Sequence, residues 1–104
     1  MKYYVFKLIP PRTTFPGDIT PAEAKLMQEH VRYWRGLMDK GLVAVFGPVA
    51  DPKGTYGIAV LQLPDDANAH ALGENDPTIR ANAGFGFEVH SMPDAVLPAK
   101  SADR

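Results

Sequence analysis

The chain has 104 residues, 45% hydrophobic and 22% charged, with eleven basic side chains against twelve acidic ones and a net charge of −1. That is the balance of one globular domain around one core, without the basic excess that nucleic acid or an anionic membrane surface demands. Cysteine is absent, which excludes a disulfide framework, a thiolate metal site and a cysteine nucleophile.

Residues 3–9 form an aromatic and β-branched run closed by Pro10 and Pro11, whose nitrogens cannot donate to a ladder, and this predicts a first strand. A Thr-, Pro- and Gly-rich loop follows over 12–18. Thr20-Pro21-Ala22-Glu23 then supplies a capping hydroxyl, a proline at the first helical position and a glutamate three residues after the cap, so a helix starts there. Leu26, Met27, Val31, Trp34, Leu37 and Met38 recur at intervals of three and four, while Lys25, Gln28, Arg32, Arg35 and Asp39 fall on the other side. The helix is amphipathic and should end near Lys40, because Gly41 can take the left-handed conformation that stops a helix.

A second strand is expected over 42–50. Asp51-Pro52-Lys53-Gly54 turns the chain into a third, 56–63, as an antiparallel hairpin. Asp65 and Asp66 offer an N-cap to a short helix reaching about Glu74, Asn75-Asp76-Pro77 interrupts it, and another helical turn over 78–82 precedes a last strand over 84–92. The order βαββαβ is that of an α+β, ferredoxin-like fold: four antiparallel strands with the helices on one face. A single domain over 1–97 is expected, with 98–104 an irregular tail that adds little to stability.

A sheet covered on one face should alternate cleanly, yet the first strand is apolar in both registers, Tyr3, Val5 and Ile9 as well as Tyr4, Phe6 and Leu8. A second copy of the same sheet is the economical cover, so a twofold homodimer is expected. No apolar run approaches the roughly 18 residues of a membrane span, and the opening residues are too short and aromatic a stretch for a signal peptide. A cytoplasmic protein is expected.

His30 falls between Leu26, Trp34 and Leu37 on the apolar stripe, so the helix aims an imidazole at the sheet. Two readings stand. One is a core histidine bonded to backbone; the other is a general acid or base serving a small molecule beneath the helix. Asp76, before Pro77, likewise reads either as an N-cap for the next helical turn or as a carboxylate that returns along the same sheet face to orient the imidazole. His70 reads as a solvated surface residue and His90 lies in the register of Glu88 on the last strand. No histidine pair has metal-ligand spacing, and no nucleotide, heme, flavin or nucleophile-elbow motif is present, so neither metal nor cofactor is expected. Trp34, Tyr4 and Phe6 are economically core or interface, and are also candidates to line an apolar pocket for a small organic molecule. Arg12 or Arg80 could supply a second polar group.

Taken together, His30 in the first helix, Asp39-Lys40-Gly41-Leu42 leading into Gly47-Pro48, the hairpin, and Asn75-Asp76-Pro77 before the last strand resemble the YCII-related (YciI-like) family over about residues 1–97. The resemblance implies a dimeric α+β barrel of ferredoxin-like subunits and a His/Asp centre at positions matched by His30 and Asp76, with lyase-type chemistry such as dehydrochlorination suggested for some members. The chain departs from shorter members in its loop 10–18 and after Pro93, so the resemblance carries over a site and no substrate. Two functions remain in view: a cofactor-independent enzyme of lyase or isomerase type, with His30 shuttling a proton and Asp76 orienting it, and a non-catalytic ligand-binding or interaction module on the same scaffold.

Overall fold

The computed structural model describes residues 1–99 and follows the predicted order: β1 (Lys2–Ile9), α1 (Pro21–Asp39), β2 (Val43–Val49), β3 (Tyr56–Leu63), α2 (Ala69–Glu74), α3 (Pro77–Arg80) and β4 (Gly86–Ser91). The strands form one sheet in the order β2-β3-β1-β4 with every neighbouring pair antiparallel, the ferredoxin-like arrangement. Of the expected tail 98–104, residues 100–104 lie outside the described residues. Among the described residues no helix is long and apolar enough to cross a membrane.

Strand alternation decides the two faces. Phe46, Ala59, Phe6 and Val89 make one cross-strand row on the helix side, where Phe6 and Ala59 are fully buried. The core there closes with Leu8, Val43, Leu61 and Leu63 from the sheet, Trp34 and Leu37 from α1, and Ala69 from α2. Trp34 lies 4.5 Å from Phe6, centroid to centroid, a contact between the two largest core side chains that fixes the distance of α1 from β1. The next row, Val45, Val60, Val5 and His90, faces away from the helices. There Val45 remains 56% exposed.

Helix α1 begins as expected, with Thr20 and Glu23 exchanging both bonds of a capping box. It ends at Lys40, and Gly41 follows with φ +79°, a conformation costly for any side chain with a Cβ. Helix α2 corrects the sequence reading. Its N-cap is Asn68, whose side chain accepts from the Ala71 amide at 3.1 Å, and not Asp65 or Asp66. Residues 64–67 close a turn first, and the Asp65 carboxylate pairs with the N-terminal ammonium at 3.0 Å. A bulge between Val43 and Val45 lets both Val43 and Phe46 face the core, which strict alternation across an odd gap would forbid.

Helix α2 lies so close to β4 that a Cβ built at Gly73 would sit 2.6 Å from Phe87 Cδ2. This approach sets where the chain turns at Asn75 and Asp76.

Candidate functional site

His30 and Trp34 stand one turn apart on the buried face of α1. Opposite them Asp76, wholly buried, follows the C-cap of α2 at Asn75 and is itself the N-cap of α3. The His30 Nδ1 lies 2.7 Å from Asp76 Oδ2, and the Trp34 indole donates to the same oxygen at 2.6 Å. The other oxygen, Oδ1, accepts from the Thr78 amide at 2.8 Å and from the Thr78 hydroxyl at 2.7 Å. The two readings of Asp76 are therefore both true, one per oxygen: Oδ1 caps α3 and Oδ2 holds the imidazole.

This arrangement fixes protonation states. An indole N–H and a backbone N–H can only donate, so the carboxylate is the acceptor throughout. Burial pulls Asp76 toward its protonated form and is the largest single influence on it. The bond and charge of His30, with the donations of Trp34 and Thr78, together outweigh burial and hold the carboxyl below its ordinary value. An ionised Asp76 requires a proton on His30 Nδ1, which leaves Nε2 of the neutral ring with its lone pair free. The negative charge is felt nearby: burial and Asp76 together raise Tyr33, whose hydroxyl donates to the Leu72 carbonyl at 2.6 Å.

His30 also lines a cleft of about 630 Å³. Among the described residues no atom bonds its Nε2 and no buried side-chain nitrogen or oxygen is left unsatisfied, so Nε2 is open to the cleft. Met27, Met38, Phe15, Phe46 and Ile19 give the walls their apolar character.

One wall of the cleft comes from the loop 10–18, and that loop is tied to α1. The Arg12 guanidinium spans both oxygens of Glu23 at 2.8 Å, and its Nε donates to Asp18 at 2.9 Å. The bonds to Glu23 and Asp18 raise Arg12, while the Arg12 bond first of all lowers Glu23 to about 2. The clamp carries Phe15 and Pro16 with it, and Phe15 meets Phe85 edge to face at 5.5 Å.

The other candidate residues are elsewhere. Phe6 and Trp34 are each 1% exposed and belong to the core; neither they nor Tyr4, which packs against the core from the far end of β1, line this cleft. Trp34 touches the site through Asp76 instead. His70 is exposed beside Glu74, and His90 is exposed with Nε2 3.0 Å from Glu88. Arg12 is committed to its carboxylates and Arg80 is exposed at the end of α3. No group of three or more His, Asp or Glu side chains among the described residues could hold a metal ion.

Two participants, Thr78 and Arg35, and the bonding role of Trp34 escaped the sequence reading. Thr78 was legible in principle, since Asp-Pro-Thr places a hydroxyl two residues after a capping aspartate. The i, i+4 spacing of His30 and Trp34 could have suggested convergence on one acceptor. Arg35, placed on the polar side by periodicity, lines the cleft because the cleft opens along the flank of α1.

A search of curated proteins finds no match. Among solved structures, a formyltetrahydrofolate deformylase from Pseudomonas putida KT2440 is similar over 86% of this chain and 28% of that one, at 13% identity and a TM-score of 0.45. The model of the YCII-related domain matches residues 1–93, which covers every element from β1 to β4, and the chain belongs to the YCII-related domain family.

Proposed function

We propose that this protein is a small-molecule enzyme that needs no cofactor, in which His30 accepts and returns a proton at Nε2 and Asp76 orients and charges the ring from behind. The observation that carries the reading is the division of labour on one imidazole: Nδ1 held at 2.7 Å by a buried carboxylate, Nε2 open to an apolar cleft. A proton leaving a carbon of the substrate moves to Nε2, and its electron pair stays with the substrate. The imidazolium so formed is stabilised by the Asp76 charge, as in other His/Asp pairs. The substrate anion then either expels a leaving group or regains the proton at another carbon, which are the lyase and isomerase outcomes.

The working unit is a homodimer. Its support is the outward row of Val45, Val60 and Val5, with Ile58 in the neighbouring row of the same face. An apolar sheet face open to water is normally covered. Sedimentation at micromolar concentration should give twice the chain mass; a monomer would remove this part of the reading.

The chemical part is tested without knowing the reaction. Small carbonyl compounds with acidic C–H bonds, incubated with the protein in D2O, should take up deuterium, and His30→Gln should abolish the uptake. Nitrogen-15 NMR of the imidazole should find the proton of the neutral ring on Nδ1. A neutral His30 protonated on Nε2 would overturn the role given to it. Tight binding of such compounds with no exchange by the native protein would favour the ligand-binding module instead, a reading supported by a cleft lining that, among the described residues, holds no carboxylate, serine or cysteine.

A further inference from the structure

The geometry points to Arg35 as an anion-binding residue of the cleft, and so to a substrate that is a small carboxylate with an apolar or aromatic body. The inference rests on the reading of the cleft as a substrate site and goes beyond it by naming the chemical class. Among the described residues Arg35 is the only permanently charged side chain that lines the cleft. It has no carboxylate partner there, whereas Arg12 is held by two acidic residues and Lys7 lies 4.5 Å from the centre of the Tyr56 ring. The carboxylate closest to the chemistry, Asp76, is fully buried behind His30 and does not line the cleft. The cleft therefore presents a guanidinium and an imidazole among apolar walls, with no negative group to repel an anion.

Spacing bounds the length of the ligand from below. His30 and Arg35 are five residues apart on one helix, roughly 7.5 Å along its axis and about 140° around it, so a ligand that reaches both is longer than the axial rise and follows the flank of α1. Met27, Val31 and Met38 occupy the arc between them, so one face of α1 runs from the imidazole across an apolar patch to the guanidinium. Phe15, Phe46 and Tyr56 stand in the other walls, surfaces suited to a flat ring. A ring-sized body spans that patch, with its carboxylate on Arg35 and its reactive C–H near Nε2. Arg35 is exposed, so it stands where the cleft meets solvent, and a guanidinium there takes a carboxylate through two parallel bonds.

The test uses the intact protein with benzoate and phenylacetate against benzamide and phenylacetamide, with binding followed by amide NMR titration. The acids should bind about tenfold or more tightly than the amides, as expected for charge-assisted bonds. Arg35→Gln should erase that preference by weakening the acids far more than the amides, and Arg35→Lys should restore part of it. His30→Gln should retain the preference, which excludes attraction by a protonated ring as its source. Equal binding of acid and amide, failure of every compound to bind, or a preference that survives Arg35→Gln overturns the assignment. The two readings fail separately: Nε2 protonation of neutral His30 sinks the proton shuttle with the acid preference intact, and loss of the preference leaves the ring tautomer where it is.

Discussion

Asp76 and Glu23 are two carboxylates with the same kind of environment on paper, each surrounded by donors and each held below its ordinary titration range. Their surroundings differ in water. Asp76 is fully buried and bonded to four donors on three residues, and burial, which opposes ionisation, is the largest influence on it. Glu23 is half-buried beneath a more exposed Arg12, and its first influence is the direct bond from that guanidinium. A buried carboxylate that stays ionised must have every lone pair engaged, so the site is costly to disturb and rigid. A carboxylate near the surface can lose its partner and return to solvent, so the clamp positions the loop at little energetic risk.

Removing Asp76 should show the difference most strongly. Asp76→Ala strands the Trp34 and Thr78 donors and should destabilise the fold by about 3–5 kcal/mol in urea unfolding, the range for breaking a buried pair from one side. Asp76→Asn is no silent swap here, because its amide N–H must point at one of two donor pairs; a loss of about 1–3 kcal/mol is expected. Unchanged stability in both variants would mean that the four bonds do not form together.

Trp34→Phe keeps most of the core volume and deletes one donor. It should cost about 1–3 kcal/mol and let the Asp76 carboxyl titrate higher, read from its side-chain carbon by NMR. Gly73→Ala probes the same site from α2: the added methyl meets Phe87 and should cost about 1–3 kcal/mol as an overpacked contact. If the variant is fully stable, α2 has room to shift and does not set the position of Asp76.

The response to acid compares the two carboxylates directly. Both have folded values below their unfolded ones, so each contributes stability that is complete above its ordinary value and is lost as pH falls through its folded value. For Glu23 that window runs from 4.5 down to about 2. Salt separates them. Molar sodium chloride should weaken the clamp and leave the Asp76 bonds intact, because screening acts on charges that water reaches. The smallest effect is expected from Glu23→Gln, which should leave the melting temperature nearly unchanged while speeding amide exchange at Gly17 and Ile19, whose N–H groups bond within the loop. Unchanged exchange would show that the loop holds itself.

The sequence by itself determined the element order, the capped start and glycine stop of α1, the antiparallel hairpin and the inward aim of His30. Each of these depends on near neighbours: a capping hydroxyl, a left-handed glycine, an apolar repeat. It also brought Asp76 into view, through its place before Pro77 and the return of that segment along the sheet face of α1, and the resemblance to the YCII-related family strengthened its pairing with His30. What local pattern could not give was the cap of α2, where Asp65, Asp66 and Asn68 are chemically equivalent until the turn at 64–67 and the N-terminal ammonium claim the first of them. Nor could it assign Trp34 between pocket wall and core, or bring Arg35 to the cleft, since both depend on how far α1 stands from the sheet. Convergence of four donors from α1 and α3 on one carboxylate belongs wholly to tertiary structure. Hydrogen bonds are satisfied at about 3 Å, a distance that residues 42 and 46 positions apart in sequence reach only after the sheet has placed both helices on one face.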